Sequence, residues 1–141
     1  EFFDSLLEMR ILFEVESAGK AALRGTAVQT ASISGIVAEE KSLKSYSPTE
    51  FSTLDYQFHL SVALASGNEI FPLLLNSFKR IYMTILERFY KDDSTIPRII
   101  DLHEQLATAI IKHDEQKSRN TMREILMFGE DELRKQLKTL Q

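Results

Sequence analysis

A chain of 141 residues, 43% hydrophobic and 27% charged, has enough apolar material for one buried core and too little for two. Its 17 basic residues stand against 21 acidic ones, and its pI is near 5.4, so no basic face exists to wrap a nucleic-acid backbone and this chain by itself should not bind DNA. The absence of cysteine excludes a disulfide framework and thiolate metal ligands, fits a reducing cytoplasm, and leaves only nitrogen and oxygen ligands for any metal.

In chain order the sequence predicts helix after helix. From Asp4, a plausible N-cap, Leu6, Leu7, Ile11, Leu12, Val15, Ala18, Ala22 and Leu23 recur at helical spacing until Gly25 ends the run. Thr26 can cap a second helix carrying Val28, Ala31, Ile33, Ile36, Val37 and Leu43. Ser47-Pro48-Thr49-Glu50 is a capping box with Pro at the first helical position, opening a third helix through Phe51, Leu54, Phe58 and Val62. Ser66-Gly67-Asn68 ends it, and Asn68 caps the next.

The fourth helix is expected from about Glu69 to Tyr90. It is so apolar that it belongs at the centre of a bundle, with Phe71, Phe78, Tyr82 and Phe89 as a core stripe. Lys91 to Thr95 is a polar loop, Pro97 restarts a helix through Ile100, His103, Leu106, Ala107 and Ile110, and a last helix runs from Glu115 to Leu140, where Gly129 is placed to bend it. The fold class that follows is all-α, an antiparallel bundle of about six helices in one domain over residues 1–141. No apolar run is long enough to span a bilayer, and the start at Glu1-Phe2-Phe3, without an initiator Met, reads as part of something longer.

The chemistry concentrates in Leu54-Asp55-Tyr56-Gln57-Phe58-His59, where a carboxylate and an imidazole one helical turn apart share a face. His103 lies in another helix, so a bundle can bring Asp55, His59 and His103 to one interior point as three ligands for a divalent metal; the plainer alternative is a solvated i,i+4 pair. Arg10 has two readings of equal weight: a clamp for a carboxylate in a pocket, or a surface pair with Glu14. His113, ten residues past His103, points away from that face and sits near a helix C-terminus.

Several spaced pieces carry a resemblance that runs nearly end to end. They are Leu7-Glu8-Met9-Arg10 with Leu12-Phe13-Glu14, Ala21-Ala22-Leu23-Arg24-Gly25-Thr26, Asp55-Tyr56-Gln57-Phe58-His59, Ala65-Ser66-Gly67-Asn68, and His103 with Ala109-Ile110 and Asp114. In this order they resemble the FCD ligand-sensing domain that follows the winged-helix reader in GntR-type transcription regulators of the FadR group. The resemblance implies a metal site formed by Asp55, His59 and His103, a small organic acid bound beside it, and Arg10 facing the pocket. It also implies a further histidine three residues after a methionine on the last helix, where this chain has Met122-Arg123-Glu124-Ile125.

The expectation is therefore a regulatory module, not an enzyme, that dimerises, senses a small carboxylate in the cytoplasm, and reaches DNA only through a domain outside this chain. Three ligands still suit Zn or Ni with open positions, and Ile125 marks an apolar pocket wall. Two alternatives stand beside it: a small metal-dependent hydrolase on a helical bundle, and a dimerisation domain with a non-functional pocket.

Overall fold

The computed structural model describes residues 2–139, and these form α1 (Phe2–Arg24), α2 (Ala27–Ser42), α3 (Pro48–Ala65), α4 (Ile70–Ser77), α5 (Lys79–Phe89), a 3-10 turn (Asp93–Thr95), α6 (Ile96–Ile111) and α7 (Glu115–Thr139). Among the described residues there is no strand. α1 lies along α7 and packs on α3 and α6, α2 lies on α3 and α6, and α5 closes over α3.

Local chemistry sets most boundaries. Thr26 and Gln29 form a reciprocal capping box at the start of α2. The Ser47 hydroxyl accepts the Glu50 N–H, and Pro48 occupies the first turn of α3, where its missing N–H costs nothing. α3 stops at a turn whose Gly67 has φ +74°, a conformation that disfavours any side chain, and Asn68 Oδ1 then accepts the N–H groups of Ile70 and Phe71. Asp4 is not an N-cap: α1 has already begun at Phe2, and Asp4 in its first turn pairs with Arg134 of α7. α7 runs as one helix through Gly129, and Leu140, the expected last residue, lies outside the described residues.

The long central helix expected over 69–90 is two helices on the flank. Its ladder breaks at Phe78 (φ −107°, ψ 9°), whose N–H turns back to the Leu75 carbonyl. Ile70 and Leu73 of α4 are each 58% exposed, and only Tyr82 and Phe89 of the expected aromatic stripe are buried, Phe71 and Phe78 being partly covered. Apolar periodicity continues across the break because it records which face is apolar, not whether the backbone ladder is continuous. The local signal was the polar Asn76-Ser77 pair.

Three hydrophobic clusters meet at α3. One, with Val15, Ile33, Phe58, Val62, Leu106 and Met122, fills the middle of the bundle. A second, with Phe51, Phe89, Tyr90, Ile96 and Leu133, fills one end. A third, with Phe13, Tyr56, Leu75 and Tyr82, lies under α4 and α5. Where they meet, the interior is polar.

Candidate functional site

Asp55 and His59 project inward from successive turns of α3, with Asp55 Oδ1 3.2 Å from His59 Nε2. α6 places His103 on its buried stripe between Ile99 and Leu106, fully enclosed, with Nε2 3.6 Å from the same Asp55 oxygen. One ligand atom from each of the three residues lies within 4.8 Å of the others. The plain alternative of a solvated pair does not hold for Asp55 and His59, which are both buried.

The imidazoles are oriented from behind. Glu14 Oε1 is 2.5 Å from His59 Nδ1, and the Glu40 carboxylate is 2.9 and 3.0 Å from His103 Nδ1. The Phe58 ring stacks on His103 with centroids 3.9 Å apart and planes 9° from parallel. A carboxylate at Nδ1 favours a proton there and turns Nε2 inward, as in sites where carboxylates orient metal-binding histidines. The Tyr90 hydroxyl donates to Asp55 Oδ2 at 2.5 Å. Asp55 Oδ1 and His103 Nε2 are then buried without a hydrogen-bond partner among the described residues, at a cost of about 1–3 kcal/mol each. Two orphaned acceptor atoms converging with His59 Nε2 fit a divalent cation held by N and O ligands about 2.0–2.2 Å away.

Arg10 satisfies parts of both readings made from the sequence. Its Nε donates to Glu14 Oε2 at 2.6 Å, so the i,i+4 pair exists, but the Glu14 side chain is 2% exposed and the pair is no surface bridge. Its Nη2 donates to the Tyr82 hydroxyl at 2.7 Å. Arg10, Asp55, His59, Tyr82 and Tyr90 line a cavity of about 70 Å³. Ile125, buried on α7, lines the same cavity. His113 stands apart at the end of α6, where it has φ 60° and its Nδ1–H donates to the Ala22 carbonyl at 2.8 Å.

The charges support one another. Burial works against the His59 cation, but the Glu14 and Asp55 carboxylates outweigh it and hold its pKa up, to about 9. Burial likewise opposes the Asp55 anion, yet the adjacent His59 and His103 imidazoles bring its pKa down to about 2. Burial pushes Glu40 up against the pull of His103. The stability supplied by protonated His59 is complete below its unfolded value near 6.5 and disappears as pH rises through 9, and Glu40 acts in the same sense from its own unfolded value upward. That supplied by Asp55 is complete above 3.8 and disappears as pH falls through 2. The metal-free protein is thus expected to melt highest at about pH 4 to 5 and to lose stability from there toward pH 9, most steeply above about 6.5. Melts across that range check this; a midpoint that climbs from pH 6.5 to 9, or a decline undiminished in His59→Gln, contradicts it.

Residues 5–127 match the family model of the FCD domain. The chain belongs to the FCD family. A 40-residue segment is 45% identical to the "Fatty acid metabolism regulator protein" of Shewanella frigidimarina (strain NCIMB 400), covering 28% of this chain and 16% of that relative. The solved structure of E. coli McbR/YncC has the same fold, with a TM-score of 0.74 at 14% identity, over 96% of this chain and 65% of that one. The chain therefore spans less than two thirds of either protein, and the family and fold are those of transcription regulators.

Sequence reasoning missed the roles of Glu14, Glu40 and Tyr90 in this FCD domain, and placed Tyr82 only in the core. A signal existed for the two acids. Glu40 continues the buried stripe Ile33, Val37 of α2, and Glu14 falls between Leu7 and Ala18 on the inward face of α1. A carboxylate in a core register needs a buried partner, and histidine is one of few that qualify.

Proposed function

We propose that residues 1–141 are the effector-sensing and dimerisation domain of a GntR/FadR-type bacterial transcription regulator working in the cytoplasm. In this reading a small organic acid binds in the bundle interior beside a divalent metal, Zn or Ni, held by Asp55, His59 and His103. Arg10 and Ile125 are the ligand-facing residues, and occupancy is relayed to a DNA-binding domain outside this chain. The observation that carries the reading is the convergence of unpartnered, buried Asp55 Oδ1 and His103 Nε2 beside a cavity that Asp55, His59 and Arg10 line together. A metal there supplies an anion-binding Lewis acid, and the Arg10 guanidinium supplies a planar fork matched to a carboxylate. Among the described residues no helix is long and apolar enough to cross a membrane.

A hydrolase reading lacks a general base. Glu14 and Glu40 are engaged with the imidazoles, Asp55 with Tyr90, and Glu130, the remaining carboxylate lining the cavity, pairs with Arg134 at 2.9 Å.

The test is a thermal-shift panel of mono- and dicarboxylates, sugar acids and amino acids. A ligand at about a hundredfold excess over its Kd adds about 2.7 kcal/mol, and the melting point should rise by several degrees. Arg10→Lys, which keeps a cation for Glu14 and loses the fork, should remove most of the shift. A panel in which no carboxylate stabilises the protein, or an undiminished shift in Arg10→Lys, defeats the reading.

A further inference from the structure

Resting on the carboxylate-sensing reading, we propose that the ligand is a monocarboxylate with an unbranched apolar tail of medium length, its head at Arg10 beside the Asp55–His59–His103 cluster and its tail running along α7 past Gly129. Apart from Glu130, the polar side chains on the cavity wall belong to one cluster, Arg10 with Tyr82 and Asp55 with His59 and Tyr90. Away from that cluster its walls include Leu86, Phe89, Ile99 and Leu133. The ionisable residue there is Glu130, an acid already paired with Arg134 and of the wrong sign for a second carboxylate. A dicarboxylate or a sugar acid would bury its remaining polar groups against hydrocarbon without partners, whereas a methylene chain loses nothing there.

The α7 wall gives the tail its course. Ile125, Leu126, Gly129 and Leu133 recur at helical spacing and all line the cavity, so a side chain at 129 would stand in the same inward row. A Cβ built at Gly129 meets nothing within 4 Å. The helix thus carries its poorest non-proline helix former, in its interior, where the cavity wall is open. From Ile125 to Leu133 the row extends about 12 Å at the helical rise. Apolar room continues beside it: a smaller hollow of about 30 Å³ opens from the same Arg10 and Tyr82 between α1 and α5, lined otherwise by Phe3, Leu6, Leu7, Ile85 and Leu86.

The experiment is calorimetric titration of the purified protein, metal content measured, with butanoate, hexanoate, octanoate, succinate, malate and octanedioate. Each added methylene should tighten binding about fourfold until the tail fills the cavity. Octanoate should bind roughly tenfold or more tightly than octanedioate, which has the same length and a second carboxylate at the far end. Gly129→Leu, with folding checked by circular dichroism, should weaken octanoate roughly tenfold or more while sparing butanoate, and Gly129→Ala should move the best chain length to a shorter acid. Succinate or malate binding as tightly as octanoate, or octanoate affinity unchanged in Gly129→Leu, overturns the tail proposal and leaves carboxylate sensing standing. If none of the six acids binds at millimolar concentration the tail proposal falls, and carboxylate sensing falls with it only when the thermal-shift panel of sugar acids and amino acids is blank as well.

Discussion

After dialysis against a weak chelator, His59→Ala and His103→Ala are expected to retain less than about a tenth of the divalent metal held by the unmodified protein, and Asp55→Ala no more than they do. Each substitution removes one of the three converging ligand atoms, and the nearest other acids among the described residues, Glu14 and Glu40, already bind the outer nitrogens. Glu14→Gln and Glu40→Gln leave all three ligands in place but weaken the acceptors that orient the rings, so affinity should fall about 10–100-fold. Ile125→His should act in the opposite direction. Residue 125 is buried on the α7 wall of the cavity that Asp55 and His59 also line, so an imidazole there adds a fourth ligand, and a third nitrogen donor. Metal analysis of the dialysed proteins decides the matter: if both histidine-to-alanine proteins hold as much metal as the parent, the ligand assignment is wrong.

Glu14→Ala should be the most damaging single substitution for stability, costing about 3–5 kcal/mol and lowering the melting point by about 10–20 °C. The Glu14 carboxylate accepts from Arg10 at 2.6 Å and faces His59 at 2.5 Å, and its side chain is 2% exposed. Removing it strands the Arg10 guanidinium and withdraws the charge that holds His59 protonated. The paired replacement Arg10→Met with Glu14→Leu removes both charges together and fills the space with hydrocarbon, so it should cost less than Glu14→Ala alone. Chemical or thermal denaturation of the three proteins is the measurement. A loss under about 1 kcal/mol for Glu14→Ala would mean that the pair is solvated rather than buried.

The bundle was legible in the sequence where local and periodic signals agreed. The Ser47 and Thr26 caps, the Gly67 turn and the proline that restarts α6 all stand where the chain is expected to change direction. The centre-versus-flank placement of residues 69–90 was not legible, because strong apolar character on α4 leaves residues such as Ile70 and Leu73 open to solvent. Asp55 and His59 were legible as a pair because helix geometry alone puts them together. Glu14 and Glu40 come from α1 and α2 to meet histidines 45 and 63 residues away, and no spacing rule reaches that far. Tyr90 looked like the end of an apolar run, since the sequence does not say that its hydroxyl turns toward Asp55.

The polar interior has a mechanical consequence for how the molecule opens. α1 through Arg10 and Glu14, α2 through Glu40, α3 through Asp55 and His59, the α5 end through Tyr82 and Tyr90, and α6 through His103 are all joined in one buried network. None of these segments can detach alone without leaving a charge or a donor stranded in hydrocarbon, so they separate as one cooperative unit. α4 has no part in the network and buries a single residue, Leu75. It can fray and re-form on the flank, exchanging its amide hydrogens with solvent, while the five linked segments stay closed.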